Sequence, residues 1–186
     1  MPNANIRDAM LANTRGGGAS FTLGNRMVRL LFNIIWMLIA RWTPRRLNPL
    51  RIAVLRMFGA NIGKGAVVYG SAKIWLPSNI SLGQDAVIGP EVNCYSIGMI
   101  GIGARTIISQ RVHICTGSHD FRDPAFQLIA KPISIGANCW IASEAFVGPG
   151  VIIGEGTILG ARACAFNDLV PNMIYRGNPA VAVGKR

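Results

Sequence analysis

The sequence predicts an all-β fold, a parallel β-helix of about five triangular coils with an N-terminal helical extension. From Ile62 onward an aliphatic residue recurs every six positions, glycine often follows it, and a basic, apolar segment precedes the first repeat. A six-residue period matches neither an α-helix nor an alternating strand. Each hexapeptide therefore predicts one short strand and one turn, and three hexapeptides make one coil that stacks on the next.

The repeat occupies fifteen positions in five groups of three, and we expect these side chains to point into the prism. Thirteen of them are Ile, Leu or Val. Glycine follows eight of them, where we expect it to accept corner backbone angles that oppose a side chain. The fifteen positions are Ile62, Val68, Ile74, Leu82, Ile88, Cys94, Ile102, Ile108, Ile114, Ile135, Ile141, Val147, Ile153, Leu159 and Ala165.

These patterns divide the chain into three parts. Residues 1–59 are a basic N-terminal extension with an apolar helix at about 24–42, residues 60–166 are the β-helix, and residues 167–186 are a C-terminal tail. The six-residue phase breaks at 116–134, which predicts a loop extruded from the prism. Loops on a rigid scaffold are frequent sites of function.

Most of the positive charge belongs to the N-terminal extension. Up to residue 59, nine Arg oppose Asp8, which gives +8, and the rest of the chain has ten Lys or Arg against seven Asp or Glu, which gives +3. The arginines accompany an apolar helix and not base-stacking aromatic residues, so nucleic-acid binding is not expected. The first twenty or so residues include a run of three glycines and are expected to be disordered.

The apolar run from Met27 to Ala40 leaves three interpretations open. It can pack as a helix on the domain or on a neighbouring subunit. It can lie in a membrane interface, or it can span the bilayer, for which its 14 residues fall short of the roughly 20 required. The arginines that would help it bind a membrane are Arg26, Arg41, Arg45, Arg46, Arg51 and Arg56.

The four cysteines are widely spaced and include no C-x-x-C pair, which indicates free, buried thiols in a reducing compartment. No secretory peptide is recognisable. We therefore expect a cytoplasmic protein, located at the inner face of the membrane if its helix binds lipid.

The extruded loop contains His119, between Ser118 and Asp120. From these residues alone, a solvated His–Asp pair and a functional histidine are equally compatible with the sequence.

Three stretches resemble the colanic-acid-type O-acetyltransferases of the hexapeptide-repeat acyltransferase family and, more distantly, the maltose and galactoside O-acetyltransferases. The stretches are Val92–Ser96, Ile108–Gln110 with Cys115–Asp120, and Asp123–Phe126 with Lys131–Ile133. The resemblance implies a left-handed coil, a homotrimer, acetyl-CoA as co-substrate and a sugar hydroxyl as acceptor. The period itself does not set the hand of the coil.

The resemblance assigns His119 as the general base, because a neutral imidazole can take the proton of a sugar hydroxyl. It places Asn93 where an asparagine orients substrate or stabilises the oxyanion, although an asparagine that closes a turn is an equally good interpretation. Tyr95, Ser118 and Asp120 are the weaker candidates for acceptor contacts.

The resemblance also indicates donor contacts in the last two coils. Trp140 matches a tryptophan that borders the acyl-CoA groove, Ser143 and Ala161 match positions that touch the pantetheine arm, and Gly160 leaves room for it. The sequence does not choose among the cations that could bind the 3′-phosphate of CoA, which are Arg162, Arg176, Lys185 and Arg186.

No metal is expected. A carbonic-anhydrase-type zinc site on this fold needs three histidines, and the chain has only His113 and His119. His113 is expected on the surface. Tyr69, Trp75 and Tyr95 are expected on outer faces of the prism, where the neighbouring subunits of a trimer would cover them.

Several alternatives remain open. The acceptor could be a sugar of exopolysaccharide or lipopolysaccharide synthesis, as a nucleotide sugar or a lipid-linked sugar, or another small molecule such as serine or a chloramphenicol-like antibiotic. The donor could be an acyl carrier protein. From another class, the chain could be a non-catalytic β-helix scaffold that is anchored by its basic helix.

Overall fold

The computed structural model describes residues 5–186, which form a helical N-terminal part followed by a parallel β-helix. Helix α1 comprises Ala9–Ala12, α2 Leu23–Ile35 and α3 Asn48–Met57. A π-helical stretch, Trp36–Ala40, continues α2. Single 3-10 turns lie at Thr14–Gly16, Arg45–Leu47 and Pro77–Asn79.

The strands are short, as hexapeptide repeats require. In chain order they are β1 Asn61–Ile62, β2 Val67–Val68, β3 Lys73–Ile74, β4 Ile80–Leu82, β5 Val87–Ile88, β6 Asn93–Tyr95, β7 Ile100–Ile102, β8 Ile107–Ile108, β9 His113–Cys115, β10 Gly117–His119, β11 Leu128–Ala130, β12 Ile133–Ile135, β13 Trp140–Ile141, β14 Phe146–Val147, β15 Ile152–Ile153, β16 Ile158–Leu159, β17 Cys164–Ala165, β18 Met173–Arg176 and β19 Val181–Lys185.

Three parallel sheets form the sides of a prism, which confirms the predicted fold class. The first side contains β1, β4, β7, β12 and β15, the second β2, β5, β8, β13, β16 and β18, and the third β3, β6, β9, β14 and β17. Each strand pairs with the strand one coil later, as Ile62 does with Leu82 and Ile88 with Ile108. Within residues 5–186 the strands make five complete coils and part of a sixth.

The fifteen predicted inward positions fill the prism, and all of them are buried. Because equivalent positions of successive coils lie above one another, the side chains form one continuous aliphatic column. Complete burial of a side chain such as Ile108 or Ile141 contributes about 1.5–3 kcal/mol. The column is therefore the main source of stability in the prism.

The C-terminal segment adds a partial sixth coil, which the sequence analysis did not predict. Leu169 bridges Ile153, and Tyr175 of β18 pairs with Leu159. Leu169 and Tyr175 keep the six-residue interval, but Leu169 follows Ala165 after only four residues, which hides the continuation of the repeat. Strand β19 then turns back and pairs antiparallel with β18.

The glycines that follow the inward positions are required for a reason other than the predicted one. The left-handed corner conformations belong to residues such as Asp85 and Glu144, with φ values of 56° and 60°. The glycines lie instead where the backbone of the next coil comes close. A Cβ on Gly63, for example, would lie 2.6 Å from the backbone nitrogen of Gln84. Close stacking of the coils, and not the corner angle, requires these glycines.

Helix α3 closes the N-terminal end of the prism. Its buried Leu55 belongs to the same core as the first coil. The guanidinium of Arg51, which is 2 % exposed, donates to the carbonyl oxygens of Val68 at 2.7 Å and Thr43 at 2.8 Å. Burial lowers the pKa of Arg51. The expectation that Arg51 faces a membrane is therefore wrong, because its donors bind backbone carbonyls inside this cap.

Helix α2 packs one stripe of residues against the third side of the prism. Phe32, Trp36 and Ala40 are buried, and the indole nitrogen of Trp36 donates to the Gly70 carbonyl oxygen at 3.1 Å. Most of its other apolar side chains are exposed. The 18 residues Leu23–Ala40 have a mean hydropathy of 1.3, so by length and composition alone this helix could cross a membrane.

The segment before α2 has defined structure from residue 5 onward, so the expected disorder is wrong for that part. Residues 1–4 lie outside the described part of the chain. Asp8 caps α1 by accepting a hydrogen bond from the Met10 nitrogen at 2.8 Å, and Ile6 bridges Phe21. Local caps and contacts with the extruded loop order a segment whose composition alone suggested disorder.

Candidate active site

The predicted loop leaves the prism after β9 as a β-hairpin, in which β10 pairs antiparallel with β11 and His119 lies opposite Leu128. We call residues 116–132 the hairpin, because Ile133 and Ser134, which were expected in the loop, belong to β12 and pair with Ile100 and Gly101 of the prism. At its base, the buried Thr116 hydroxyl donates to the Tyr95 carbonyl oxygen at 2.7 Å and accepts from the Gly98 nitrogen at 2.9 Å. These bonds fix the point at which the chain leaves the prism.

Gly117 is the first hairpin residue outside the prism. A Cβ at this position would lie 2.8 Å from the Ile97 side chain and 3.0 Å from the Tyr95 ring. A larger residue here would require the Ile97 and Tyr95 side chains to shift.

His119 is held by a single residue of the same hairpin. Its ring stacks on Phe126 with centroids 4.3 Å apart and planes 10° from parallel. The Nδ1 atom of His119 lies 2.8 Å from the Phe126 carbonyl oxygen. A carbonyl oxygen only accepts, so Nδ1 carries a proton, and in the neutral imidazole the lone pair is on Nε2. The ring is exposed.

Two aspartates build the turn that presents Phe126. Asp123 accepts from the backbone nitrogens of Ala125 at 2.9 Å and Gln127 at 3.3 Å, and its own carbonyl accepts from the Phe126 nitrogen at 2.8 Å. Phe126 adopts a left-handed conformation with a φ of 54°. Asp120 accepts from the Arg122 nitrogen at 3.0 Å. One oxygen of Asp120 is therefore engaged in the turn.

His119 opens onto a groove of about 430 Å³. The predicted acceptor contacts Ser118 and Asp120 also line it, so the structure brings these three residues together. The other lining residues are Phe121, Arg122, Ile129, Lys131 and Pro149.

Asn93 lies in a different depression within the protomer. It belongs to the outer face of the third side and lines a depression of about 350 Å³ beside α2, together with Arg29, Asn33 and Trp75. Within residues 5–186 its side-chain amide makes no hydrogen bond. One protomer therefore places the two predicted catalytic residues in separate depressions.

Tyr95 lies below the start of the hairpin and is half-buried. Its ring packs edge-on against Trp75 with centroids 6.0 Å apart. Burial raises the pKa of Tyr95, and the positive charge of the nearby Arg29 partly offsets this rise. Phe21 in turn packs on Trp75 at 4.7 Å. The chain's own N-terminal segment thus covers Trp75, which packs on Tyr95, whereas a neighbouring subunit was expected to cover both.

His113 points outward as predicted but is half-buried and not a solvated surface residue. Its ring packs edge-on against Phe146 at 5.6 Å, and its Nε2 atom is buried without a hydrogen-bond partner in residues 5–186. Burial lowers the pKa of His113. Its position on the third side separates it from the groove of His119.

The predicted donor contacts lie on the fourth and fifth coils. Trp140, on the outer face of the second side, is 47 % exposed, and its indole nitrogen donates to the Ser109 hydroxyl at 2.9 Å. Ser143 and Ala161 lie at the following corner of successive coils, where the Ser143 carbonyl accepts from the Arg162 nitrogen at 3.0 Å. Trp140, Ser143 and Ala161 therefore lie along one edge of the prism.

Gly160 has an explanation that the sequence did not suggest. A Cβ there would lie 3.0 Å from the Tyr175 carbonyl oxygen and 3.1 Å from Cγ of Arg176. The sixth coil occupies this space, so Gly160 serves coil stacking and does not leave an open approach for a ligand.

Two of the four candidate cations are already engaged. Arg162 forms an ion pair with Glu144 at 2.6 Å and holds the pKa of that carboxyl below its usual range. The Arg186 guanidinium donates to the carbonyl oxygens of Asn138 and Gly156. Within the described residues, the exposed side chains of Arg176 and Lys185 make no hydrogen bond or ion pair. Arg176 and Lys185 are thus the available cations.

Two hairpin residues that the sequence analysis gave no role contribute to the site. Phe126 supplies both contacts to His119. Gln127 joins the hairpin to the N-terminal segment, because its Oε1 accepts from the Ala9 nitrogen at 2.6 Å and its Nε2 donates to the Arg7 carbonyl at 3.2 Å. No periodicity or charge pattern marks either residue, since the hairpin lies outside the repeat.

The cysteines are unpaired, with Cys94 and Cys139 buried and Cys115 and Cys164 half-buried. Burial raises the pKa of the Cys94 thiol to about 12. Among residues 5–186, no group of three His, Cys, Asp or Glu side chains is placed to hold a metal ion.

Solved structures with the same architecture include acetyltransferases. A galactoside acetyltransferase in complex with coenzyme A superposes with a TM-score of 0.81 at 22 % identity, covering 96 % of this chain and 92 % of that one. A hexapeptide-repeat acetyltransferase from Vibrio cholerae O1, complexed with acetyl coenzyme A, superposes with a TM-score of 0.79 at 23 % identity, covering 88 % and 90 %. At these identities the likeness shows the fold.

Sequence comparison shows the family. Residues 132–164 match the profile of the bacterial transferase hexapeptide, six repeats. Over 166 residues the chain is 45 % identical to the Escherichia coli K12 protein named colanic acid biosynthesis acetyltransferase WcaF, which covers 89 % of this chain and 91 % of that protein. The protein is therefore an acyltransferase that belongs to the hexapeptide-repeat acetyltransferases, with the colanic acid type as its relative.

Proposed function

We propose that the protein transfers an acetyl group from acetyl-CoA directly to a sugar hydroxyl, with His119 as the general base. The observation that carries this proposal is the hydrogen bond from Nδ1 of His119 to the Phe126 carbonyl oxygen at 2.8 Å. It leaves the lone pair of Nε2 in the neutral imidazole available for a substrate proton. A base held in one tautomer is ready to accept a proton without rearrangement.

The proposed reaction has two steps. Nε2 of His119 takes the hydroxyl proton as the acceptor oxygen forms a bond to the thioester carbonyl carbon. The carbon–sulfur bond then breaks, and the departing CoA thiolate recovers the proton from the imidazolium. Because both substrates are held together, no covalent acyl-enzyme is needed, and positioning supplies much of the rate.

The proposed donor site is the prism edge that contains Trp140, Ser143 and Ala161. Support comes from the two related folds that were solved with coenzyme A and acetyl coenzyme A. Arg176 is the preferred partner of the 3′-phosphate, since its side chain makes no hydrogen bond or ion pair within residues 5–186 and its Cγ lies next to Gly160, beside Ala161.

A homotrimer would bring the separated parts of this site together. The outer face of the second side is a column of apolar residues that are half-buried or exposed within the described part of the chain, and such columns favour burial against another chain. A neighbour packed there would place its hairpin beside Trp140. In the same assembly Asn93 could stabilise the oxyanion, although a purely structural asparagine remains the alternative. The column consists of Val67, Val87, Ile107, Trp140, Ile158 and Ile174.

The proposed acceptor is a sugar of exopolysaccharide or lipopolysaccharide synthesis. Support comes from the name of the E. coli relative, which refers to colanic acid biosynthesis. The groove beside His119 is open and lined by hydroxyl, carboxylate and cationic groups, which suits a polar acceptor.

The test is CoA release from acetyl-CoA in the presence of sugars, nucleotide sugars, serine and chloramphenicol, with wild type and His119→Ala. We expect turnover with a sugar and a loss of about 10²-fold or more in the variant, with unchanged acetyl-CoA binding. Equal turnover by both proteins would refute the general base. Failure of the wild type to bind acetyl-CoA would refute the donor and favour a scaffold.

A further inference from the structure

Helix α2 presents an apolar face that no described part of the chain covers. The stripe that packs on the prism contains Phe32, Trp36 and Ala40. A second stripe is offset from it by two residues, which is about 200° around a helix, so it points away from the prism. Its side chains are 42 % to 70 % exposed, and they are Leu23, Met27, Leu30, Leu31, Ile34 and Leu38.

The surroundings of this outward face are strongly basic. Arg26 lies on α2, and Arg41, Arg45 and Arg46 follow its C-terminal end, all of them exposed. Asp8 is the only acidic residue among the first 59. Trp42, at the end of the helix, is 77 % exposed. Tryptophan is a side chain that favours the boundary between lipid and water.

These features fit an anionic lipid surface better than a second copy of the chain. Lipid supplies an apolar layer for the outward face and negative headgroups for the arginines. A second copy that packed the same face would bring Arg26 and Arg41 of both copies together, and like charges repel. The helix cannot cross the bilayer while its other stripe stays on the prism.

We infer that the protein binds peripherally to anionic membranes through the outward face of α2, with the helix in the plane of the interface. This inference does not depend on the acetyl-transfer chemistry. It has a consequence for the site, because the segment before α2 packs through Phe21 on Trp75 and contacts Gln127 of the hairpin. The docked helix and the hairpin are thus parts of one connected structure.

The experiment is flotation of the full-length protein with vesicles of phosphatidylcholine alone or with phosphatidylglycerol added. We expect binding to the mixed vesicles to exceed binding to phosphatidylcholine by roughly tenfold or more. The variant Leu30→Glu/Ile34→Glu should lose that binding while keeping the circular dichroism spectrum of the wild type, because both side chains are exposed. Val170→Glu, which alters another exposed apolar residue at 62 %, should bind like the wild type.

A second pair of variants tests the charge. Arg45→Gln/Arg46→Gln should weaken binding to the anionic vesicles several-fold, whereas the charge-matched Lys64→Gln/Arg105→Gln should not. If the glutamate variant still binds, the basic surface adsorbs without the helix and the inference fails. It also fails if the wild type does not bind vesicles, or if the glutamate variant changes the oligomeric state and leaves vesicle binding unchanged. Because the experiment measures vesicle binding, none of these outcomes tests whether acetyl-CoA is the donor.

Discussion

At the scale of single residues, the site depends on how two histidines are surrounded. His119 is exposed and has one nitrogen engaged by a carbonyl, which fixes its tautomer. His113 is half-buried, and its Nε2 atom has no partner among residues 5–186. The same residue type is thus exposed in the hairpin, where we propose that it acts as the base, and packed against an aromatic ring on the third side.

Burial of His113 predicts a pH dependence of stability. Its pKa is lowered in the folded state, so the unfolded chain binds more protons as the pH falls through the ordinary value of about 6.5. Stability should therefore be complete above that value and decline below it. We expect the thermal midpoint to fall between pH 7 and 5 in the wild type and to fall less in His113→Gln. If the thermal midpoint of His113→Gln falls with pH as steeply as that of the wild type, this assignment is contradicted. His119→Gln is the control for the removal of an imidazole.

The position of Arg176 predicts that its substitution changes the KM only for a donor that has the 3′-phosphate. Arg176→Ala should raise the KM for acetyl-CoA on the order of tenfold, because a charge-assisted contact with the 3′-phosphate is lost. The KM for 3′-dephospho-acetyl-CoA should hardly change. Lys185→Ala is the matched control, since Lys185 is equally unpaired but lies opposite Met173, at the other end of the β18–β19 pair. An equal loss with both donors would show that Arg176 acts elsewhere.

At the scale of elements, the hairpin is stabilised from two directions. The prism holds its base through Thr116, and the N-terminal segment holds its tip through Gln127. Arg15 of that segment lies over the Phe126 ring at 5.7 Å. The position of His119 therefore depends on a segment more than a hundred residues earlier in the chain.

The contact between the two elements can be tested at Gln127. Gln127→Ala removes the acceptor for Ala9 and the donor to Arg7, so we expect kcat to fall on the order of tenfold as His119 loses its position. The KM for acetyl-CoA and the thermal midpoint should change little, because the prism is untouched. Gln127→Glu keeps the acceptor oxygen and should recover part of kcat. A uniform loss of stability in both variants would indicate a structural role only.

At the scale of the whole molecule, the three sides of the prism differ in what covers them. The third side is covered in part by α2, and the outer face of the first side presents polar or small residues such as Asn61, Ser81 and Ser134. The apolar column of the second side is half-buried at Val67, Val87, Ile158 and Ile174 and exposed at Ile107 and Trp140, each at 47 %. This side is therefore the surface at which we expect the subunits of the proposed trimer to meet.

The proposed trimer can be tested by placing a charge in this column. Ile107→Glu should shift the molar mass measured by light scattering from trimer toward monomer, because a carboxylate would be buried without a partner. Ile152→Glu changes the same residue type at a similar exposure, 54 %, on the first side and should leave the trimer intact. A trimer that tolerates Ile107→Glu would place the interface on another surface.

The sequence by itself determined the prism, because the six-residue period specifies which side chain points inward in every strand. It also located the loop of His119, since a loop is where the period stops. It missed the sixth coil, where a four-residue step from Ala165 to Leu169 breaks the phase. It gave the wrong reason for Gly63, because close approach between coils is a property of two segments and not of one.

The tertiary structure alone decided the arrangement around the histidines and the cations. The tautomer of His119 depends on the carbonyl of Phe126, and the role of Gln127 on Ala9, contacts that no local pattern encodes. The sequence predicts an exposed, ligand-binding role for both Arg51 and Arg176, yet Arg51 is buried in the cap, whereas Arg176 is exposed and makes no side-chain hydrogen bond within the described residues. A repeating period fixes what recurs along the chain, whereas irregular segments obtain their positions from the distant residues that they contact.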